Sequence, residues 1–156
     1  MRLLPPSATL ANERVRSVFR TRMAAMKVLA LDHGSARTGV AVSDPTGTLV
    51  RPLDPIARVD SPDGQRALDA VIGAQAPERI VVGEPRLMSG ARGTQAKQAA
   101  GFAKRLRSRT DIPVDLLDER MSTVEGGRRG REGGSKAALD SLAACVLLEA
   151  YLAGQP

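Results

Sequence analysis

The stretch Lys27–Asp32 (KVLALD) constrains the fold more than any other part of this 156-residue chain. Its interior is apolar at every position, and an unbroken apolar run this short reads as a strand buried on both faces. Such a strand needs a layer of structure above it and another below. The aspartate closes the run, so it falls where the strand leaves the interior. Gly34–Arg37 then reads as a turn, Thr38–Ser43 (TGVAVS) as a second strand and Asp44–Gly47 as a second turn. Thr48–Leu53, or slightly beyond, is a third strand, and the short connections make these three an antiparallel meander.

The rest of the chain changes period. Pro62 and Asp63 open a helix with Ala67, Leu68, Val71 and Ile72 at helical spacing. Arg79–Gly83 (RIVVG) is a short strand fit only for a sheet interior, Thr94–Arg109 is a helix, and Ile112–Leu117 is a fifth strand. Ser135–Ala153 is the clearest helix, with Leu139, Leu142, Val146, Leu147 and Ala150 on one side and Gly154 as a stop. Strands that alternate with helices pair in parallel. The order β-β-β-α-β-α-β-α therefore predicts an α/β fold. Its five-stranded mixed sheet, antiparallel through the first three strands and parallel at the fourth and fifth, is flanked by helices.

Composition narrows the chemistry. The length suits one domain with a real core. Cys145 is the only cysteine and His33 the only histidine, which excludes a disulfide within the chain, a multi-cysteine zinc site and a His-rich metal site. Phe19, Phe102 and Tyr151 are the only aromatic residues, too few for a base-stacking platform. The net charge of +6 is unevenly spread: +4 in residues 1–25, −2 in 26–84, +7 in 85–110 and −3 in 111–156. Residues 1–25, with Pro5-Pro6 and no strand pattern, read as a flexible basic extension. They are either dispensable or the product of a start upstream of Met26; an organellar transit peptide and a basic nucleic-acid arm are the other readings. The folded unit is expected over residues 26–156. No apolar run is long enough to span a membrane.

This order of elements brings acids to strand ends. Asp32 closes the first strand, Asp118-Glu119 the fifth, Glu84 follows the fourth, and Asp140 lies in the first third of the last helix. Hard carboxylate oxygens hold Mg2+ or Mn2+, and phosphoryl transfer commonly uses two such ions about 4 Å apart. Like charges held together repel unless a cation neutralises them. Alternation lets only one of Asp118 and Glu119 face such a site, and Glu119 has the longer reach. Arg37, Arg86, Arg92 and Lys136 fall in loops or helix starts near the strand ends, where they can hold phosphates. Arg105, Arg107 and Arg109 lie further along their helix and read as a solvated face. His33 reads as a partly exposed turn residue rather than a general base, Ser122 and Thr123 as helix caps, and Cys145 as core. Gly126–Gly134 (GGRRGREGG) is too glycine-rich for a stable helix and is expected to be a mobile loop. An Asp-x-Gly after a first strand also opens ATP-binding domains of the actin and sugar-kinase type. Those need two domains around the nucleotide, and this chain has room for one.

Four blocks resemble the YqgF/RuvX family of Holliday-junction-resolvase-like proteins, also described as pre-16S rRNA nucleases. They are Leu29–Asp44 (LALDHGSARTGVAVSD), Ile80–Pro85 (IVVGEP) with Gly93–Ala96, Asp118–Glu125 (DERMSTVE) and Leu139–Leu152 (LDSLAACVLLEAYL). They stand in the family's order across residues 27–153. The resemblance implies an RNase H-like fold, a bacterial cytoplasmic protein and divalent-metal-dependent phosphodiester hydrolysis. It implies catalytic roles for Asp32, for Asp118 and Glu119, and for Asp140, with Mg2+ or Mn2+ held by Asp32, Glu119 and Asp140. Glu84 departs from the family, which has an apolar residue there; it reads equally as an added metal ligand or a substituted turn residue. The expected partner is nucleic acid, either structured RNA or branched DNA. The leading reading is 5′-end processing of pre-16S rRNA during ribosome biogenesis. The alternative is a junction resolvase in recombination and repair, which must nick two strands symmetrically and so needs a dimer; the sequence leaves monomer and homodimer both open. A non-catalytic nucleic-acid binder is the third.

Overall fold

β1 (Val28–Asp32) occupies the middle of a five-stranded sheet ordered β3-β2-β1-β4-β5, in a computed structural model that describes residues 26–84, 93–118 and 136–154. It pairs antiparallel with β2 (Arg37–Ser43) and parallel with β4 (Arg79–Glu84). Its four apolar residues are at most 1% exposed, so the predicted two-sided burial holds. Alternation divides them between two cores. Leu29 and Leu31 join Val40, Val42, Ile80, Val82 and Val114 under α1 (Pro62–Gln75) and α2 (Thr94–Arg109). Val28 and Ala30 join Ala41 and Val81 under α3 (Lys136–Ala153).

The elements match the expected order, with two differences of extent. β3 (Val50–Ala57) runs past Leu53 and through Pro52 and Pro55. It is an edge strand, where a residue without an N–H is tolerated, and its register against β2 shifts between Thr38 and Val40, as a bulge does. β5 (Val114–Asp118) starts two residues later than expected because Pro113 cannot donate to a ladder; its carbonyl instead accepts from Ile80 N at 2.9 Å. α1 opens as predicted: Pro62 takes the first turn, and the Ser61 side chain accepts from Gly64 N at 3.0 Å. α2 buries Ala96, Ala99, Phe102, Ala103 and Leu106. Its arginine row is less free than a solvated face. Arg107 donates to Val114 O at 2.9 Å, Arg109 to Asp69 at 2.8 Å, and Arg105 to Asp60 at 2.9 Å.

α3 is the lid of the second core, and two hydrogen bonds set its course. Near its start, Ser141 donates to Leu53 O of β3 at 2.6 Å. Near its end, Tyr151 donates to Asp115 of β5 at 2.7 Å, and Arg79 of β4 reaches the same carboxylate at 2.7 Å. The ten-residue step from Ser141 to Tyr151 spans about 15 Å of helix, which carries α3 from one edge strand to the other. Cys145 lies in this core, 7% exposed, as expected. Among the described residues no helix is long and apolar enough to cross a membrane.

Truncating Leu148→Ala, at 0% exposure, is expected to cost about 2–5 kcal/mol, read by denaturant unfolding. The Tyr151–Asp115 tie gives a pH signature. Burial, then the bond to Asp115, pushes the Tyr151 phenol up from 10.0 to about 12. Burial alone would raise Asp115, but its bonds from Tyr151 and Arg79 outweigh that and hold it below 3.8. The tyrosine contribution is therefore complete below pH 10.0 and is lost as pH rises toward 12. The aspartate contribution is complete above pH 3.8 and is lost as pH falls. Tyr151→Phe should lower the melting temperature at neutral pH and flatten its decline across the alkaline window.

Candidate active site at the carboxyl ends of the strands

Three of the predicted acids reach one edge of the sheet. Asp32 ends β1 opposite Gly39, and the parallel register that sets Leu31 against Val82 continues to place Asp32 beside Gly83. Glu84 and Asp118 end β4 and β5 directly opposite each other. Neighbouring strands are about 4.8 Å apart, so the three carboxylates fringe adjacent strand ends. Alternation separates them by face. Asp32 shares parity with Val28 and Ala30, toward α3. Glu84 follows Ile80 and Val82, and Asp118 follows Val114 and Leu116, toward α1 and α2. Asp32 is half-buried, Glu84 is 4% exposed and Asp118 is exposed.

Asp140 comes to the Asp32 side through the backbone. It immediately precedes Ser141, which is tied to Leu53 O. Leu53 pairs with Val40 and Val40 with Leu31, so this turn of α3 stands level with the end of β1. Arg37 begins β2 at the same end, exposed and without an ion pair among the described residues. Glu119, Arg86, Arg92, Ser122, Thr123, the Gly126–Gly134 stretch, residues 1–25 and the side chains of Asp140 and Lys136 lie outside the described residues. Among the described residues no three His, Cys, Asp or Glu side chains cluster tightly enough to hold a metal ion. The donors at this edge are all carboxylates, which suit Mg2+ or Mn2+ and not a thiolate- or imidazole-seeking metal.

The hairpin behind Asp32 has little freedom. A Cβ on Gly34 would lie 2.3 Å from Arg37 O, so only glycine allows this close return of the chain. His33 is partly exposed as a residue, but its side chain turns inward: that side chain is 6% exposed and its ring stacks on Phe102 with centroids 4.8 Å apart. The reason is a partner in the first core that the neighbouring residues do not reveal. Its Nε2 lies 3.4 Å from Asp60, which also accepts from Arg105 at 2.9 Å. Burial would raise Asp60, but the bonds from Arg105 and His33 outweigh it and hold the carboxyl below its ordinary value. The Arg58–Ser61 turn, Lys97 and Arg105 thus form a cationic wall beside β1 that was not expected as a site. Its only sign in the sequence is the acid-free run 85–110.

A mixed sheet in the order β3-β2-β1-β4-β5 with helices on both faces is an RNase H-like fold, here with acids at the ends of its parallel strands. The chain belongs to the RuvX family, described as Holliday junction resolvase, which matches residues 26–154. A protein of Rhodococcus opacus named "Putative pre-16S rRNA nuclease" is 41% identical, over 80% of this chain and 75% of its own length. One of the same name from Gloeobacter violaceus is 37% identical, over 83% and 85%. The fold is shared with the Fowlpox virus resolvase, solved with Holliday junction DNA, at a TM-score of 0.51 and 12% identity, over 82% of this chain and 97% of that one. The chain is accordingly a hydrolase of phosphodiester bonds.

Gly34→Ala should force the β1–β2 turn open and cost about 1–3 kcal/mol, seen as a lower melting temperature. An unchanged melting temperature would show that the turn relaxes freely.

Proposed function

We propose that this nuclease acts in the cytoplasm, with Mg2+ or Mn2+, on the 5′ end of pre-16S rRNA during ribosome biogenesis. The observation that carries the site is the meeting of Asp32 with the Asp140 turn of α3 on one side of the sheet, at the carboxyl end of β1. The names of the relatives support the substrate. Asp32, on the central strand, would hold the metal together with Asp140 and one of the pair Asp118 and Glu119. Asp118 lies on the face away from α3, so Glu119 is our choice. The ions, when bound, supply an activated water and stabilise the leaving oxygen. Arg37, with Arg86, Arg92 and Lys136, holds phosphates of the strand without reading its bases. Glu84, buried toward the opposite layer, serves as a wall of the site rather than as a ligand.

A second reading, cleavage of four-way DNA junctions, follows the family description. It requires two copies acting symmetrically. Acids at the edge that meets the substrate argue against a binder without activity, since carboxylates repel phosphate unless a cation neutralises them.

Purified variants assayed on end-labelled pre-16S leader RNA, single strands and four-way junctions test this reading. Asp32→Asn and Asp140→Asn should each lose at least about a hundredfold in kcat with the fold intact. Glu84→Gln should stay within a few-fold. Full activity in either aspartate variant sinks the assignment, and symmetric junction nicking by a dimer in preference to RNA cleavage selects the second reading.

A further inference from the structure

Beside β1, on the side away from α3, lies a cleft of about 320 Å³ whose walls include His33, Arg58, Asp60, Ser61, Lys97 and Arg105. Its position follows from the topology. His33 succeeds Asp32 at the carboxyl end of β1. The Arg58–Ser61 turn leaves the carboxyl end of β3, which runs parallel to β1. Crevices at the carboxyl ends of strands are where open α/β sheets take their ligands.

The cleft is cationic by construction. Arg58, Lys97 and Arg105 face one acid, Asp60, which leaves a net +2 with His33 neutral. Asp60 is engaged by Arg105 and His33, so it orients a guanidinium toward the cleft instead of presenting bare charge. Arg58 and Lys97 have no ion pair among the described residues. Gly101 leaves room on the α2 side: a Cβ there would come 3.2 Å from the Arg105 guanidinium.

Arg58 is also held against its preference. Its φ of 42° is left-handed, a conformation that glycine or asparagine adopts more readily. Four contacts impose it. Arg58 N donates to Ala36 O at 3.0 Å, and Ser61 N and Ser61 Oγ donate to Arg58 O at 2.8 and 2.7 Å. Gly64 packs so closely beneath that a Cβ would lie 2.0 Å from Arg58 O. Strain of this kind persists only where the surroundings over-determine it, and it gathers at functional sites. The floor offers no open ring, because the His33 face is spent on Phe102. A base has nothing to stack on, whereas a phosphate has three cations to meet.

We propose that this cleft is a second subsite of the nuclease, holding the sugar-phosphate backbone of the substrate strand through Arg58, Lys97 and Arg105 while the neighbouring phosphate lies at Asp32. It rests on the nucleic-acid substrate proposed above, but its test reads binding and not cleavage.

Wild type, Lys97→Ala, Arg58→Asn/Lys97→Ala and, as a control outside the cleft, Arg66→Ala are titrated with labelled single-stranded RNA in EDTA over a range of salt concentrations. Each phosphate contact contributes about 0.7 to the slope of log K against log salt for single strands. Lys97→Ala should therefore lower the slope by about 0.7 and the double variant by about 1.4. Arg66→Ala should leave it unchanged. Asparagine accepts the left-handed backbone and Lys97 is an exposed helix residue, so both variants should keep the wild-type melting temperature. An unchanged slope in folded variants overturns the proposal, as does a wild type that binds no RNA. Competition by inorganic phosphate or a nucleoside 5′-monophosphate as effective as that of the strand also overturns it, by assigning the cleft to a free phosphate ligand. Loss of cleavage in Asp32→Asn is read separately, so the catalytic assignment and this subsite can fail independently.

Discussion

The parallel pairing of β1 with β4, buried on both faces, is the constraint on which the rest of the molecule depends. A strand covered from both sides cannot carry a charge within its length without a partner. An acid in β1 must therefore wait until the strand emerges, and Asp32 does so. The same pairing makes β4 and β5 end on the same edge, so their terminal acids gather there without any loop having to deliver them. It also requires two helical layers, which is why α3 must cross the face opposite α1 and α2 and why an acid early in α3 can meet the end of β1.

The two layers divide the electrostatics. On the α3 side stand Asp32 and the Asp140 turn, the residues we propose as metal ligands. On the α1–α2 side, the Arg58 turn, Lys97 and Arg105 collect positive charge around one engaged carboxylate. A polyanionic strand laid across the carboxyl edge meets attraction on one side and, once metal is bound, attraction on the other. The bulk charge of +6 says little about this, because +4 of it belongs to residues 1–25. What matters is where the charges stand: Asp32 lies on the α3 face of the edge, and Arg58, Lys97 and Arg105 line the cleft on the other face.

Much of this was legible in the sequence. The bounds of α2 are those expected, because its alanines and basic residues segregate cleanly by helical period. β1 and β2 were legible from their apolar runs, and Asp32 from its place at the end of one. β3 runs beyond Leu53 to Ala57, through Pro52 and Pro55, because an edge strand tolerates residues without an N–H, and which strand is the edge is set by the whole sheet. The inward turn of His33 and the cleft around Arg58 were missed for a related reason. Each depends on residues far away in the chain, Phe102 and Asp60 for the one, Ala36 and Gly64 for the other. The face taken by Asp118 was legible as a question, and the strand register answers it: that side chain belongs with Val114 and Leu116.

In the mechanism proposed above, Asp32 anchors a divalent-metal site at the end of the buried strand. Calorimetric titration of Mn2+ into the wild-type protein and into Asp32→Asn tests it most directly, without any substrate. The wild type should bind Mn2+ saturably, and the asparagine variant should lose that binding while keeping its fold. Equal Mn2+ binding by the two proteins would contradict it.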